Sequence, residues 1–298
     1  MDGGRRMKIR QVQYFLTVAE TGRFTTAAEE LHISQSSVSK QIMALEKELG
    51  FLLIDRSRRR IALTRAGEAF LKHARVLNKD YLAMVAELSA YKTTPSFSVL
   101  SIPVIAQYGI ASYLAQFRTA YPHFDFTLEE REPLPILRSL DNHTHDLAFV
   151  REHYLDTETY SSLLIAQDKL LVAVSKDHHL ADRGSVSLKE LADENFITYE
   201  KSTLVDKLVV GACRRAGFEP RVIYATLRIE SILGLVASNS GIALVMGKVF
   251  DHSKHLDVIG VPLEETIKSD VVLAWLKNKM PSKAARKFVD FMSKELAV

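Results

Sequence analysis

Three apolar stripes of helical period, packed into the first fifty residues and joined by very short links, constrain this chain more than any other feature. Val12, Phe15, Leu16 and Ala19 recur at i, i+3, i+4 and i+7, which marks one buried face of a helix. Phe24, Ala27, Ala28 and Leu31 repeat the spacing, and Thr26 with Glu29 has the form of a capping box near the start of a second helix. Only His32 and Ile33 then separate Leu31 from Ser34, a residue type suited to N-cap a third helix. Val38, Ile42, Leu45 and Leu49 form the buried stripe of that helix, and Gly50 supplies its stop. Two helices joined so closely predict a helix-turn-helix.

The third helix carries the chemistry. Ser36, Ser39, Lys40 and Met43 lie opposite its apolar stripe, with Gln35 flanking them. Such a face offers hydrogen-bond donors and acceptors without negative charge, as a helix entering the DNA major groove requires. An ordinary solvated face mixes in acids, but here Glu46 and Glu48 come only in the last turns. Phe51, Leu53 and Ile54, then Ile61 and Leu63, predict two short strands. Between them Arg56, Arg58, Arg59 and Arg60 crowd a hairpin tip, a wing suited to the phosphate backbone; a solubilising loop has the same composition. The candidate DNA contacts are therefore Thr26, Ser34, Gln35, Ser36, Ser37, Ser39, Lys40, Arg56, Arg58, Arg59 and Arg60.

Charge supports this division. The net charge is +3, yet residues 1–65 hold 12 Lys/Arg against 7 Asp/Glu, so the basic excess sits at the N-terminus and points to an acidic polymer. A chain of 298 residues is long enough for two or three domains. The single cysteine, Cys213, rules out an intramolecular disulfide and a cysteine metal cluster. No stretch has signal-peptide or membrane-spanning character, so a cytoplasmic protein with no membrane partner is expected.

Phe70, Ala74, Leu77, Tyr81, Met84 and Leu88 are spaced 4, 3, 4, 3, 4 across a segment free of proline. That alternation is a heptad seam and predicts a dimerising helix over 66–92. Thr93-Thr94-Pro95-Ser96 breaks it and predicts a hinge. Downstream, strand-like runs at 97–102, 124–130, 147–150, 170–175, 196–199, 222–224, 242–245 and 271–276 alternate with helical stretches, an α/β pattern.

The block from Phe15 to Gly67 resembles the DNA-binding domain of the LysR-type transcriptional regulators. The resemblance rests on Phe24-Thr25-Thr26-Ala27-Ala28, the run from Leu31 to Ile42, Leu45-Glu46-Lys47-Glu48-Leu49-Gly50, and Leu63-Thr64-Arg65-Ala66-Gly67. Ser36 stands where that family commonly has proline, and Ile54 where phenylalanine is usual. Weaker matches follow at Phe117-Arg118, Tyr121-Pro122, Asp146-Leu147-Ala148, His179-Leu180-Ala181, Leu188 to Leu191 and Gly241 to Leu244. The resemblance implies a multidomain α/β protein: a winged helix-turn-helix over 1–65, a linker helix over 66–92 and a hinge over 93–96. An effector-binding domain like a periplasmic binding protein would fill 97–298, with subdomain I about 97–169 plus 271–298 and subdomain II about 170–270. It further implies a homodimer, or a homotetramer, on double-stranded operator DNA, answering to a small anionic metabolite, with RNA polymerase as a further candidate partner. Mapped onto this chain, the candidate effector contacts are Ser101, Ile102, Arg151, Ser202, Thr203, Thr226 and Arg228. For Ser202 a plain N-cap, and for Arg151 a surface salt bridge, are the competing readings.

His143, His145 and His153, and the pair His178-His179, invite a metal reading. Adjacent histidines point in different directions along a strand or turn, so no metal and no cofactor is expected. No G-x-S-x-G elbow, P-loop, H-E-x-x-H or dinucleotide fingerprint stands in a suitable context, so an enzyme is not expected. The competing readings are a small-molecule-binding or enzymatic α/β protein with an accessory DNA-binding domain, a transport-type binding protein, and a non-specific architectural DNA binder.

Overall fold

The described residues are 7–31, 33–55, 61–89, 94–201, 203–253, 255–278 and 282–297 of a computed structural model, which divides into two compact units, Met1–Tyr91 and Lys92–Val298. The first unit opens with helices α1 (Ile9–Thr21), α2 (Phe24–Glu30) and α3 (Gln35–Leu49). Gly22, left-handed at φ 68°, ends α1. Arg23 then caps α2 without any side-chain bond, which corrects the expectation at Thr26: it lies inside the helix, and Thr26 with Glu29 is not a capping box. Ser34 does cap α3, its hydroxyl accepting from the Ser37 amide at 3.2 Å. Val38, Ile42 and Leu45 are fully buried among Phe15, Val18, Ala27 and Ala28.

The wing strands β1 (Ile54–Asp55) and β2 (Ala62–Leu63) pair antiparallel, with Ile54 opposite Leu63. They are shorter than the apolar pattern predicts, and Phe51 stands outside them, 65% exposed. The cause is Glu46, which is buried rather than displayed on the last turns of α3. Its Oε1 accepts from the amides of Leu53 and Ile54 at 2.9 and 3.0 Å, so the strand begins only there. Arg56, Arg58, Arg59 and Arg60 lie outside the described residues.

Helix α4 (Arg65–Ser89) starts at a tight junction. The Thr64 hydroxyl donates to the Leu52 carbonyl at 2.5 Å and accepts from the Gly67 amide at 3.0 Å. A Cβ at Gly67 would sit 2.0 Å from the Leu53 carbonyl oxygen, so only glycine lets helix and wing approach this closely. Phe70 meets Phe15 edge-on with ring centroids 5.0 Å apart, and Ala74 is buried with Val12 and Leu16. Gln13 Nε2 donates to Asn78 Oδ1 at 3.2 Å on the same face. The heptad reading is therefore corrected at Phe70 and Ala74, which serve their own domain's core. Leu77, Met84 and Leu88 remain 43%, 49% and 58% exposed, and Tyr81 is half-buried.

The second unit runs β3 (Ser96–Ser101), α5 (Ile110–Ala120), β4 (Asp125–Glu130), α6 (Pro133–Asp141), β5 (Leu147–Arg151), β6 (Tyr160–Ala166), β7 (Leu170–Ser175) and β8 (Asn195–Tyr199). It continues α7 (Leu204–Arg215), β9 (Arg221–Thr226), α8 (Ile229–Ala237), β10 (Ala243–Met246), α9 (Gly247–His252), β11 (Val258–Pro262), β12 (Val271–Leu276) and α10 (Lys283–Glu295). One sheet has the order β4-β3-β5-β12-β6, parallel at β4-β3-β5 and antiparallel about β12. An antiparallel sheet β10-β7-β11 and a parallel pair β8-β9 make up the rest, β8 being tied to Ile242 through its Ile197 amide at 2.8 Å. Each apolar run the sequence marks as a strand forms one. Strands β6 and β11 had no such mark: β6 opens Tyr-Ser-Ser, and β11 contains Gly260 and ends on Pro262, residues depleted from strands. The Gly260 site has no room for a side chain, since a Cβ there would lie 2.7 Å from the Phe250 ring.

Two passages of the chain lie side by side between the sheets. Leu170 donates its amide to the Ile267 carbonyl at 3.0 Å, Ser269 to the Asp168 carbonyl at 2.9 Å, and Asp168 to the Asp270 carboxylate at 2.9 Å.

Candidate nucleic-acid interface and ligand site

In the first unit the exposed start of α3 is the chemically distinctive surface. Gln35, Ser36, Ser37 and Lys40 are exposed and Ser39 is half-buried. Ser34 Oγ lies 3.0 Å from Ser36 Oγ and 2.7 Å from Ser37 Oγ, so the three hydroxyls form one cluster over the helix N-terminus. Glu46 is turned inward onto two backbone amides, and the other acid of α3, Glu48, stands in its last turn, so the helix start carries no carboxylate of its own to repel an anion. The helix start adds unpaired amides, which favour phosphate. A hollow beside it is lined by Thr25, Ala28, Glu29, Ile33, Ser34 and Gln35. Thr25, not the half-buried Thr26, lines it; the helix is capped three residues earlier, at Arg23, than the capping pattern implied.

In the second unit one predicted residue anchors a cluster. Arg151 ends β5 and is 2% exposed, so it is not a surface salt bridge. Its Nη1 donates to the Ser269 carbonyl at 2.8 Å and to Ser269 Oγ at 3.3 Å, and its Nη2 to the Tyr108 hydroxyl at 3.1 Å. The Tyr108 hydroxyl in turn donates to the Asp168 carboxylate. Asp168 Oδ1 also accepts from the amides of Lys169 at 2.8 Å and Lys248 at 3.2 Å. Among the described residues no carboxylate forms an ion pair with Arg151.

The surroundings register this cation. Burial and then the Arg151 charge lower the His153 imidazole to about 4, and its Nδ1 lies 3.2 Å from Ser269 Oγ. Burial pushes the Tyr154 and Tyr199 phenols up to about 12, with Arg151 opposing the rise in each. Burial also raises the Tyr108 phenol, which keeps it a hydrogen-bond donor. The result is a desolvated guanidinium ringed by neutral aromatic hydroxyls.

The other predicted contacts fall elsewhere. Ser101 is fully buried and its hydroxyl donates to the Ile102 carbonyl at 2.6 Å; Ile102, 4% exposed, donates its amide to the Phe149 carbonyl at 3.0 Å. Ser101 is the last residue of β3 and Ile102 follows it, so both are packed at the end of this strand with their polar groups turned onto backbone. Thr203 is the N-cap of α7, its hydroxyl accepting from the Asp206 amide at 3.2 Å and donating to the Glu200 carbonyl at 2.8 Å. Thr226 ends β9 half-buried, and Arg228 is exposed ahead of α8. Ser202 lies outside the described residues. Tyr108, His153, Asp168 and Ser269 were not singled out for this site, because they come from four separate loops that only the fold assembles.

Residues 9–68 match the profile of the bacterial regulatory helix-turn-helix protein, lysR family, and residues 93–297 that of the LysR substrate binding domain. The chain belongs to the LysR-type transcriptional regulators. It is 27% identical over 289 residues to the transcriptional dual regulator GltC of Bacillus subtilis strain 168, covering 96% of each chain. It is 28% identical over 244 residues to the DNA-binding transcriptional dual regulator OxyR of Escherichia coli K12, covering 80% of this chain and 79% of OxyR. Among solved structures, full-length CbnR in complex with its target DNA aligns with a TM-score of 0.58 and 25% identity, over 97% of this chain and 99% of that one. This LysR-type regulator thus pairs an N-terminal helix-turn-helix with a C-terminal α/β substrate-binding domain. Among the described residues no helix is long and apolar enough to cross a membrane.

Proposed function

We propose that this LysR-type regulator reads operator DNA with the first two turns of α3 and responds to a small anionic metabolite held at Arg151. The buried guanidinium carries the reading, since a desolvated cation without a carboxylate partner is favoured by an anion that completes its hydrogen bonds. Gln35, Ser36, Ser39 and Lys40 face bases and phosphates; Ser34 and Ser37 hold the helix start, and Arg56, Arg58, Arg59 and Arg60 grip the backbone. The protein acts in the cytoplasm as a homodimer or homotetramer and catalyses no reaction. The effector domain comprises subdomain I, about 97–169 plus 271–298, and subdomain II, about 170–270, which move about the paired passages near Asp168 and Ser269. Cys213 is buried and its thiol is pushed up to about 11, which supports reversible ligand binding over thiol chemistry as the signal.

Two sets of variants test the reading. Operator binding, followed by fluorescence anisotropy on a site selected from random DNA, weakens by about 1–3 kcal/mol in Gln35→Ala. In Lys40→Ala it loses about one unit of salt slope. Thermal shifts with a panel of small carboxylates persist in both. In Arg151→Met and Arg151→Lys the carboxylate shift disappears while operator affinity holds, because lysine lacks the fork geometry. Unchanged carboxylate shifts in both Arg151 variants would remove the proposed site.

A further inference from the structure

The turn after β7 carries His178 and His179, and the loop entering β8 carries Glu194. Here neighbouring histidines do not diverge. Their rings lie 4.4 Å apart between centroids with 32° between planes. Both Nε2 atoms face one carboxylate, His178 Nε2 at 3.5 Å from Glu194 Oε2 and His179 Nε2 at 3.4 Å from Oε1. Local turns impose this: the His178 amide closes onto the Ser175 carbonyl at 3.0 Å, and the Glu194 amide onto the Leu191 carbonyl at 3.1 Å. The His178 ring is mostly buried, the carboxylate partly so, and the His179 ring open to solvent.

We propose that His178, His179 and Glu194 form a divalent transition-metal site of the zinc class, a property outside the DNA- and effector-binding roles above. Two ligands held at zinc bond lengths in a tetrahedral shell stand about 3.3–3.4 Å apart. The two nitrogen–oxygen separations, 3.5 and 3.4 Å, are close to that value, each to its own oxygen of Glu194, and one ligand atom from each of the three residues lies within 4.8 Å of the others. Closing the remaining edge asks for a small movement of the exposed His179 side chain. Two imidazoles and a carboxylate with an open position suit zinc, nickel or copper and not magnesium or calcium, which prefer oxygen alone. Each Nε2 faces its own oxygen of Glu194, so the three groups converge on one point that a single metal ion can occupy.

Ligation through His178 Nε2 puts that ring's proton on Nδ1. The Leu180 amide now donates to Nδ1 at 3.3 Å, a long bond that a small ring rotation breaks. The bound ion joins the turn after β7 to the entrance of β8, pinning two segments that belong to different sheets.

The test uses the full chain, dialysed against a chelator and titrated with zinc by calorimetry, with cobalt as a spectroscopic probe of coordination geometry. One ion per chain is expected, with tetrahedral cobalt absorption. His179→Ala and Glu194→Gln should each weaken zinc binding by at least about tenfold. Zinc should raise the Tm of the parent and not of these variants. Because His179 is exposed, His179→Ala should keep the metal-free Tm of the parent, which separates a lost ligand from a lost fold. His252→Ala with His255→Ala should behave as the parent does. Substoichiometric zinc, or binding equally strong in His179→Ala and Glu194→Gln, would overturn the proposal.

Discussion

His153 shows how a single side chain feels the Arg151 site. Burial and the neighbouring guanidinium hold its imidazole at about 4, against 6.5 for the free side chain. Between those values the unfolded chain binds a proton that the folded protein refuses, so stability is full above about pH 6.5 and declines as pH falls toward 4. His153→Gln should therefore flatten the acid limb of a plot of Tm against pH; an unchanged limb would show that the fold does not hold this imidazole below its free value. Arg151 itself was legible as an arginine following a strand. Its burial was not, because Tyr108 and Ser269 meet it from loops far away in the chain. Ser101 was legible only as a hydroxyl at the right strand end. Lying on β3, flanked by β4 and β5 in the sheet interior, it turns that hydroxyl onto its own backbone.

Among the elements, the junction of wing and α4 is the least tolerant. Gly67→Ala drives a methyl into the Leu53 carbonyl and separates the helix from the strand. The expected cost is about 3 kcal/mol or more, measured by urea unfolding, together with loss of operator binding. Thr64→Val, which removes the hydroxyl that bridges Leu52 and Gly67, should cost less because no backbone has to move. Helix α3 was readable because its cap, its stripe and its stop all agree. Strand β11 was not, since Gly260 makes way for the Phe250 ring, a contact no local pattern encodes. Phe51 misled for a related reason. An apolar residue before a strand reads as part of it, and only the buried Glu46 carboxylate shows where pairing starts.

For the whole molecule, α4 leaves an unmet demand. Phe70 and Ala74 are consumed by their own domain, while Leu77, Met84 and Leu88 keep an apolar strip in the open. A second copy of the helix is the partner we propose for it. Leu77→Ser with Leu88→Ser should shift the protein toward monomer in analytical ultracentrifugation and weaken binding to a two-half-site operator far more than to a single half-site. The division into a DNA-binding unit and an α/β unit was legible from charge and periodicity, and the sensing role of the second from the family resemblance. The cluster about Arg151 that we propose as its ligand site was not, because that cluster is defined by which loops meet.

The bond from Arg151 to Ser269 has a mechanical consequence. Ser269 belongs to one of the two adjoining passages, and Tyr108 ties the same guanidinium to Asp168 on the other. On the function proposed above, a ligand that draws the guanidinium aside pulls on both passages at once, directly at Ser269 and through the Tyr108 hydroxyl at Asp168. Ligand capture and domain movement would then be coupled within two hydrogen bonds of one side chain.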